Sequence, residues 1–294
     1  MAWPLIRNLP HHFTFNFVRL APFAAAISVL LVIGSGVSLA TQGLNLGIDF
    51  SGGSSFEVKT PGPVPLAQLR ADLPTMGAHD AQVQALSDSH SARVRFKPAK
   101  GVNAVSAAAD IQKKLATQFP GMQFQGGGTV GAKVSGELLV SGFQALGIAM
   151  VLMLLYIWFR FQLQFGLGAV IAILHDVALT IGFLSFQQIE FSMVSIAALL
   201  TVIGYSMNEK VITFDRLREN LRKYKRTPLR DVINLSENER LSRTLITGST
   251  ALLALAGMLF LGGPALFPLI ITMVVGIVLG TYSSIYVALP VIML

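Results

Sequence analysis

The sequence contains no cysteine. Disulfide staples and thiolate metal sites are therefore excluded, while the compartment stays open. Charge is scarce too. Asp, Glu, Lys and Arg make up 13% of the 294 residues, against roughly 25% in an ordinary soluble domain. With 53% hydrophobic residues and a mean hydropathy of +0.63, much of the chain reads as lying in lipid. No glycine-rich phosphate loop ending in Gly-Lys-Ser or Gly-Lys-Thr is present, which argues against ATP as an energy source. Gly-x-Ser-x-Gly and His-Glu-x-x-His are also missing, and the Ser and His residues form no hydrolytic set, so neither enzyme activity nor a bound cofactor is expected. A formal charge of +7 would suit nucleic acid. The densest basic run, Arg216 to Arg230, instead sits between two apolar segments, where a cytoplasmic loop carries positive charge, so no nucleic-acid partner is expected.

What the sequence does have is apolar runs of membrane-crossing length, about 20 residues each. They run from about Leu20 to Thr41, Leu138 to Phe159, Phe165 to Phe186, Phe191 to Phe214, Leu241 to Leu261, and Leu266 to the end. The first is longer than the apolar core of a signal peptide, although Ser38-Leu39-Ala40 resembles a cleavage site. Six spans place both termini on one side, together with Arg7, Arg19, Arg160 and the basic run. The opposite short loops, Ser185–Glu190 and Gly262–Ala265, contain no Lys or Arg. The positive-inside rule then makes the termini cytoplasmic. The expected organisation is a cytoplasmic N-terminus over 1–19, a first span over 20–41, an external domain over 42–137, and a five-helix bundle over 138–294 with a basic cytoplasmic loop at 215–240. Within that loop Leu217, Leu221 and Tyr224 recur at helical spacing, which suggests an amphipathic helix on the inner membrane surface.

The external segment reads as a folded α+β domain. Ser54–Thr60, Ala81–Leu86, Ala92–Phe96 and Met122–Val130 carry strand patterns, with a turn at Ser87–His90. Pro65–Met76 and Ala104–Phe119 have helical spacing. The order β-α-β-β-α-β is that of ferredoxin-like folds. Gly126-Gly127-Gly128 suggests a loop or a flexible exit toward the next span.

Ionisable residues inside spans are costly, so each marks a candidate site. Glu209 lies about 9 Å from the middle of the fourth span, with Tyr205 one turn away. A carboxyl held away from water takes up a proton more readily, as a proton carrier requires; pairing with the adjacent Lys210, or reaching to the interface with it, is the plainer alternative. Arg243 opens the fifth span with Thr247 and Thr250 on its side. It either holds a carboxylate across the bundle or anchors a helix end at the interface. His175-Asp176 sits mid-span and is expected to face the bundle interior, as a proton relay or a helix-locking hydrogen bond. Glu190, at a loop, is expected to be solvated.

These residues carry a family resemblance. Gly47-Ile48-Asp49-Phe50-Ser51-Gly52-Gly53 resembles a signature of the SecF family, a branch of the resistance-nodulation-division superfamily. Gly204-Tyr205-Ser206-Met207-Asn208-Glu209, leading to Asp215-Arg216, is similar to that family's fourth-span motif, and Leu241-Ser242-Arg243-Thr244-Leu245 to its fifth-span opening. His175-Asp176-Val177 and Val130-Gly131-Ala132-Lys133-Val134 also match, with Ala132 where proline is usual. The resemblance implies a bundle paired with SecD, association with the SecY–SecE–SecG channel and with YidC, and contact with a translocating polypeptide and the lipid bilayer. It implies late export of proteins across, and insertion into, the bacterial inner membrane, driven by the proton gradient. It implies proton-coupling roles for Glu209 and Arg243, with Asn208, Asp176 and His175 grouped beside them. Gly47, Asp49, Gly52, Gly53, Gly204, Asp215 and Arg216 are then motif residues of structural kind. Glutamate stands at 209 where the family usually has aspartate, and a further acid is expected on SecD. A proton-coupled small-molecule exporter half and a passive scaffold of the translocon are the alternative functions.

Overall fold

The computed structural model describes residues 13–86, 89–99, 102–161, 163–263 and 266–292. Arg7, the first half of the expected Ser87–His90 turn, and Pro264-Ala265 lie outside the described residues. One compact unit runs Leu46–Gln144; the described residues before and after it form a second. Along the chain, α1 (Phe17–Thr41) comes first. The small unit follows with α2 (Ile48–Ser51), β1 (Gly53–Lys59), α3 (Leu66–Thr75), β2 (His79–Ala85), β3 (Ser91–Lys97), α4 (Ala104–Gln118) and β4 (Gln123–Val130). Then come α5 (Ala132–Arg160), α6 (Leu163–Phe186), α7 (Met193–Lys223), α8 (Leu229–Leu261), α9 (Phe267–Tyr286) and the short α10 (Ala288–Ile292).

The small unit is an antiparallel sheet in the order β2-β3-β1-β4, with α3 and α4 supplying its apolar cover. Alternation in β1 turns Phe56 and Val58 into the core, opposite Val94 and Ala92 of β3. Leu69 and Leu73 of α3, and Ile111 and Leu115 of α4, are four residues apart and fully buried with them. Each such side chain contributes about 1.5–3 kcal/mol when buried. The entry to β1 depends on glycine. Gly52 and Gly53 have φ of +68° and +113°, and a Cβ on Gly53 would lie 2.5 Å from the Phe96 carbonyl oxygen. The triple glycine is neither a loop nor an exit. It lies inside β4, where the register to β1 shifts between Ser55 and Glu57 and Gly126 and Gly127 take positive φ.

In the second unit, α1, α5, α6, α8 and α9 are long and apolar enough to cross a membrane. Their outer faces leave Phe159 90% and Phe260 84% exposed, which suits hydrocarbon rather than water. α1 starts at Phe17 because the Asn16 side chain accepts a hydrogen bond from the Arg19 backbone N–H, and a helix cap extends the apolar run by one turn. The expected fourth span is a helix, α7, opened by a Ser192–Ser195 capping box. It is not among the five apolar ones. Ser206, Glu209, Lys210, Thr213 and Asn220 are buried along it, because α6, α8 and α9 enclose it. The closest packing is with α9, where small residues let the backbones approach. A Cβ on Gly276 would overlap Val202, and one on Gly280 would press to 3.2 Å from Ser206.

Residues 215–240 do not form the expected loop. α7 continues to Lys223 and α8 begins at Leu229, so only residues 224–228 connect them. Leu217 does not lie on a membrane surface. It is fully buried, in a helical hairpin that also buries Val232 and Ile233 and joins Asn220 to Ser236 at 3.0 Å. Glu190 departs from expectation as well: it is only 9% exposed, and its carbonyl accepts the Ser195 hydroxyl.

Candidate functional site

Three helices converge on α7 and bring two polar clusters into the bundle. The first centres on Asp176 of α6. Its Oδ2 accepts the Lys210 ammonium at 2.9 Å and the hydroxyls of Ser206 at 2.5 Å and Ser283 at 2.7 Å. Lys210 also donates to Ser283 at 3.0 Å and is itself completely buried. On the other side, His175 Nδ1 lies 3.0 Å from Asp176 Oδ1, and its ring stacks 6.2 Å from that of Tyr282. The adjacent pair thus faces inward as expected. Lys210, four residues after Ser206, points away from Glu209, since consecutive helical residues do not share a face.

The second cluster centres on Arg240 of α8. Its guanidinium grips Glu237 through Nε at 2.9 Å and Nη2 at 2.8 Å, a two-pronged contact that suits this planar group. A single arm, Nη1, reaches Glu209 at 3.3 Å. Thr244 accepts from the same Nη1 at 2.8 Å and donates to Glu209 at 3.1 Å, and Ser284 of α9 accepts from Nη2 at 3.0 Å. Glu209 and Glu237 are 1% and 0% exposed. Tyr205, one turn before Glu209, sits 3.5 Å from the Thr281 hydroxyl.

Two expected site residues fall elsewhere. The base facing Glu209 is Arg240, not Arg243, which is exposed and makes no ion pair with a described residue. Thr247 and Thr250 do not extend the cluster; each hydroxyl bonds a carbonyl of its own helix. Asn208 is exposed too, turned outward from the face that carries Glu209. Arg240 and Glu237 went unrecognised in the sequence because the expected fifth span began at Leu241, and Thr244, quoted in the motif, was given no role. A usable signal was present. Ile233, Glu237, Arg240, Thr244, Gly248 and Leu255 recur at helical spacing and are all buried, so the enclosed face runs back through the supposed loop.

The motif residues have local roles. Gly47 caps α2, Asp49 lies in its first turn, and Gly52 ends it. A Cβ on Gly204 would meet nothing within 4 Å. Asp215 pairs with Arg160 at 3.0 Å, tying α7 to the end of α5. Arg216 bridges Glu239 at 2.8 Å and Glu219 at 2.7 Å, and its guanidinium is held above the usual arginine range chiefly by the hydrogen bond to Glu239.

Comparison with known proteins fits this geometry to a family. The family model for the C-terminal part of the protein export membrane protein SecD/SecF matches residues 110–294, and that for the SecD/SecF GG motif matches residues 37–60. The protein translocase subunit SecF of Cereibacter sphaeroides is 40% identical over 96% of this chain and 90% of its own length. The chain belongs to the SecF family. The SecF of Rickettsia felis is 35% identical over 97% of this chain and 93% of its own. Among solved structures, SecDF from Thermus thermophilus, a translocon-associated membrane protein, matches the whole chain with a TM-score of 0.88 at 32% identity. SecDF in a super-membrane-facing form matches 95% of it with a TM-score of 0.67 at 31% identity. The chain spans 39% and 38% of those two SecDF chains. SecF membership and several apolar helices make the chain a multi-pass membrane protein. Gly47 to Gly53, the run that shapes the entry to β1, falls within the GG-motif match.

Proposed function

We propose that this chain is the SecF subunit of a SecD–SecF complex that uses the proton gradient to assist protein export across, and insertion into, the bacterial inner membrane. On this reading it is non-catalytic and holds no cofactor. It pairs with SecD, associates with the SecY–SecE–SecG channel and YidC, and touches the translocating polypeptide and the surrounding bilayer. α7 is the sixth crossing, polar because its neighbours shield it, and both termini are cytoplasmic. The small unit is a periplasmic ferredoxin-like domain, a reading supported by its element order and its sheet order β2-β3-β1-β4.

The observation that carries the reading is a charge imbalance within the two polar clusters packed on α7. Asp176, Glu209 and Glu237 are three carboxyls; Lys210 and Arg240 are two cations. Among these five side chains, three against two leaves one negative charge in excess. An uncompensated charge in a low-dielectric interior is costly, and binding one proton removes it. Glu209 is the acid held by the single arm of Arg240, so it is the one that protonation frees. Arg240 then keeps Glu237 on α8 while the charged contact from α8 to Glu209 of α7 is lost, and the bundle repacks around it. A proton crossing the membrane supplies about 2.3 kcal/mol per 100 mV, enough to bias a two-state equilibrium more than tenfold.

The test is gradient-dependent export by the reconstituted complex. Glu209→Gln removes the titrating group and is expected to abolish stimulation by the gradient, whereas Arg243→Gln leaves it intact. Full stimulation with Glu209→Gln would refute the proposal, and a passive scaffold would then be the better description.

A further inference from the structure

We propose that the groove between α1 and α6 is a binding site for one anionic phospholipid. The groove has a volume of about 1040 Å³. Ala25, Val29 and Ile33 of α1 form one wall, and Ile171, Leu174 and Ala178 of α6 the other. Arg19 and Arg230 line its end, and no acid among the described residues lines it. The two arginines come from different helices but meet for a reason seen elsewhere in the fold. The start of α1 is pinned to α8 by hydrogen bonds from the Phe15 and Val18 backbone N–H groups to Asn238 and Asn234. That contact brings Arg230, one turn before Asn234, to the mouth that Arg19 occupies. Both arginines are exposed, and neither makes an ion pair with a described residue.

The dimensions suit a lipid better than a soluble ligand. From Arg19 to Ile33 the helix rises about 21 Å. One leaflet contributes about 15 Å of hydrocarbon. An acyl chain therefore fills the apolar length, and its phosphate reaches the arginine pair at the headgroup level. Basic pockets between membrane helices on the cytoplasmic side recognise anionic headgroups in this way. The chain so bound would cover His175, which also lines the groove, and keep water from that side of Asp176.

Native mass spectrometry of the full chain in detergent, offered phosphatidylglycerol and phosphatidylcholine of equal chain length, tests the proposal. Phosphatidylglycerol is expected to be retained at least tenfold more than phosphatidylcholine. The Arg19→Gln/Arg230→Gln variant should lower its retention about thirtyfold, the equivalent of about 1 kcal/mol for each arginine. Arg222→Gln/Lys223→Gln, which removes basic charge away from the groove, should change nothing. Ala178→Trp should abolish retention by filling the groove with both arginines in place. Equal retention of the two lipids, an equal loss in the Arg222/Lys223 variant, or full retention in Ala178→Trp would overturn the assignment. So would failure to retain phosphatidylglycerol at all.

Discussion

Arg240 holds two carboxylates at once, and that makes it the residue on which the buried charges depend. Removing it leaves Glu209 and Glu237 side by side without compensation, and breaking a buried pair in this way costs about 3–5 kcal/mol. Arg240→Gln should lower the unfolding midpoint in detergent sharply, while Arg243→Gln, on an exposed position, should change stability by no more than about 0.5 kcal/mol. Asp176 and Lys210 form the second pair, and their substitutions should not add. Asp176→Asn and Lys210→Met together are expected to cost less than the sum of the two single changes, by a coupling energy of about 0.5–3 kcal/mol in a double-mutant cycle. Simple additivity would mean the pair is not a unit. At this scale the sequence was informative where a charge interrupts an apolar run, as at Asp176 and Glu209. It was silent on Lys210 as the partner of Asp176, because that contact joins residues 34 positions apart.

At the scale of elements, two helices decide whether the clusters exist. α9 supplies Ser283 and Ser284, and it reaches α7 only because Gly276 and Gly280 lack side chains at the crossing. Gly276→Val should force the helices apart and cost about 1–3 kcal/mol, measured as thermal unfolding in detergent. Gly204→Ala is the counterpart. A methyl there has open space, so the change should be neutral or stabilise by up to about 1 kcal/mol through helix propensity. The four strands and the two longer helices of the small unit were readable from alternation and from four-residue spacings such as that of Leu69 and Leu73, whereas the single-turn α2 was not. The α7–α8 hairpin was not. Hydropathy marks where a helix leaves lipid, not where it ends, so Arg216–Lys223 read as a separate surface helix and Leu229–Arg240 as loop, although they continue the helices on either side. That boundary also hid Glu237 and Arg240.

For the whole molecule, the family match, the apolar helices and the enclosed α7 describe a membrane protein in which the two polar clusters packed on α7 carry, among the described residues, one acid more than they have bases. Five of the six expected spans fall on helices that are long and apolar enough to cross a membrane among the described residues. The other, read from the apolar run Phe191 to Phe214, falls on α7, whose buried polar residues keep it out of that set. The central claim is that the buried set keeps one proton that it can release. Infrared spectroscopy of the full chain in bilayers tests it most directly, by following the carbonyl band of protonated carboxyl groups at neutral pH. Three carboxyls against two cations predict such a band in the unaltered chain. They also predict its disappearance in Glu209→Gln and equally in Glu237→Gln, because either change balances the buried charges. A spectrum without the band in the unaltered chain, or a band that survives both substitutions, would contradict the account.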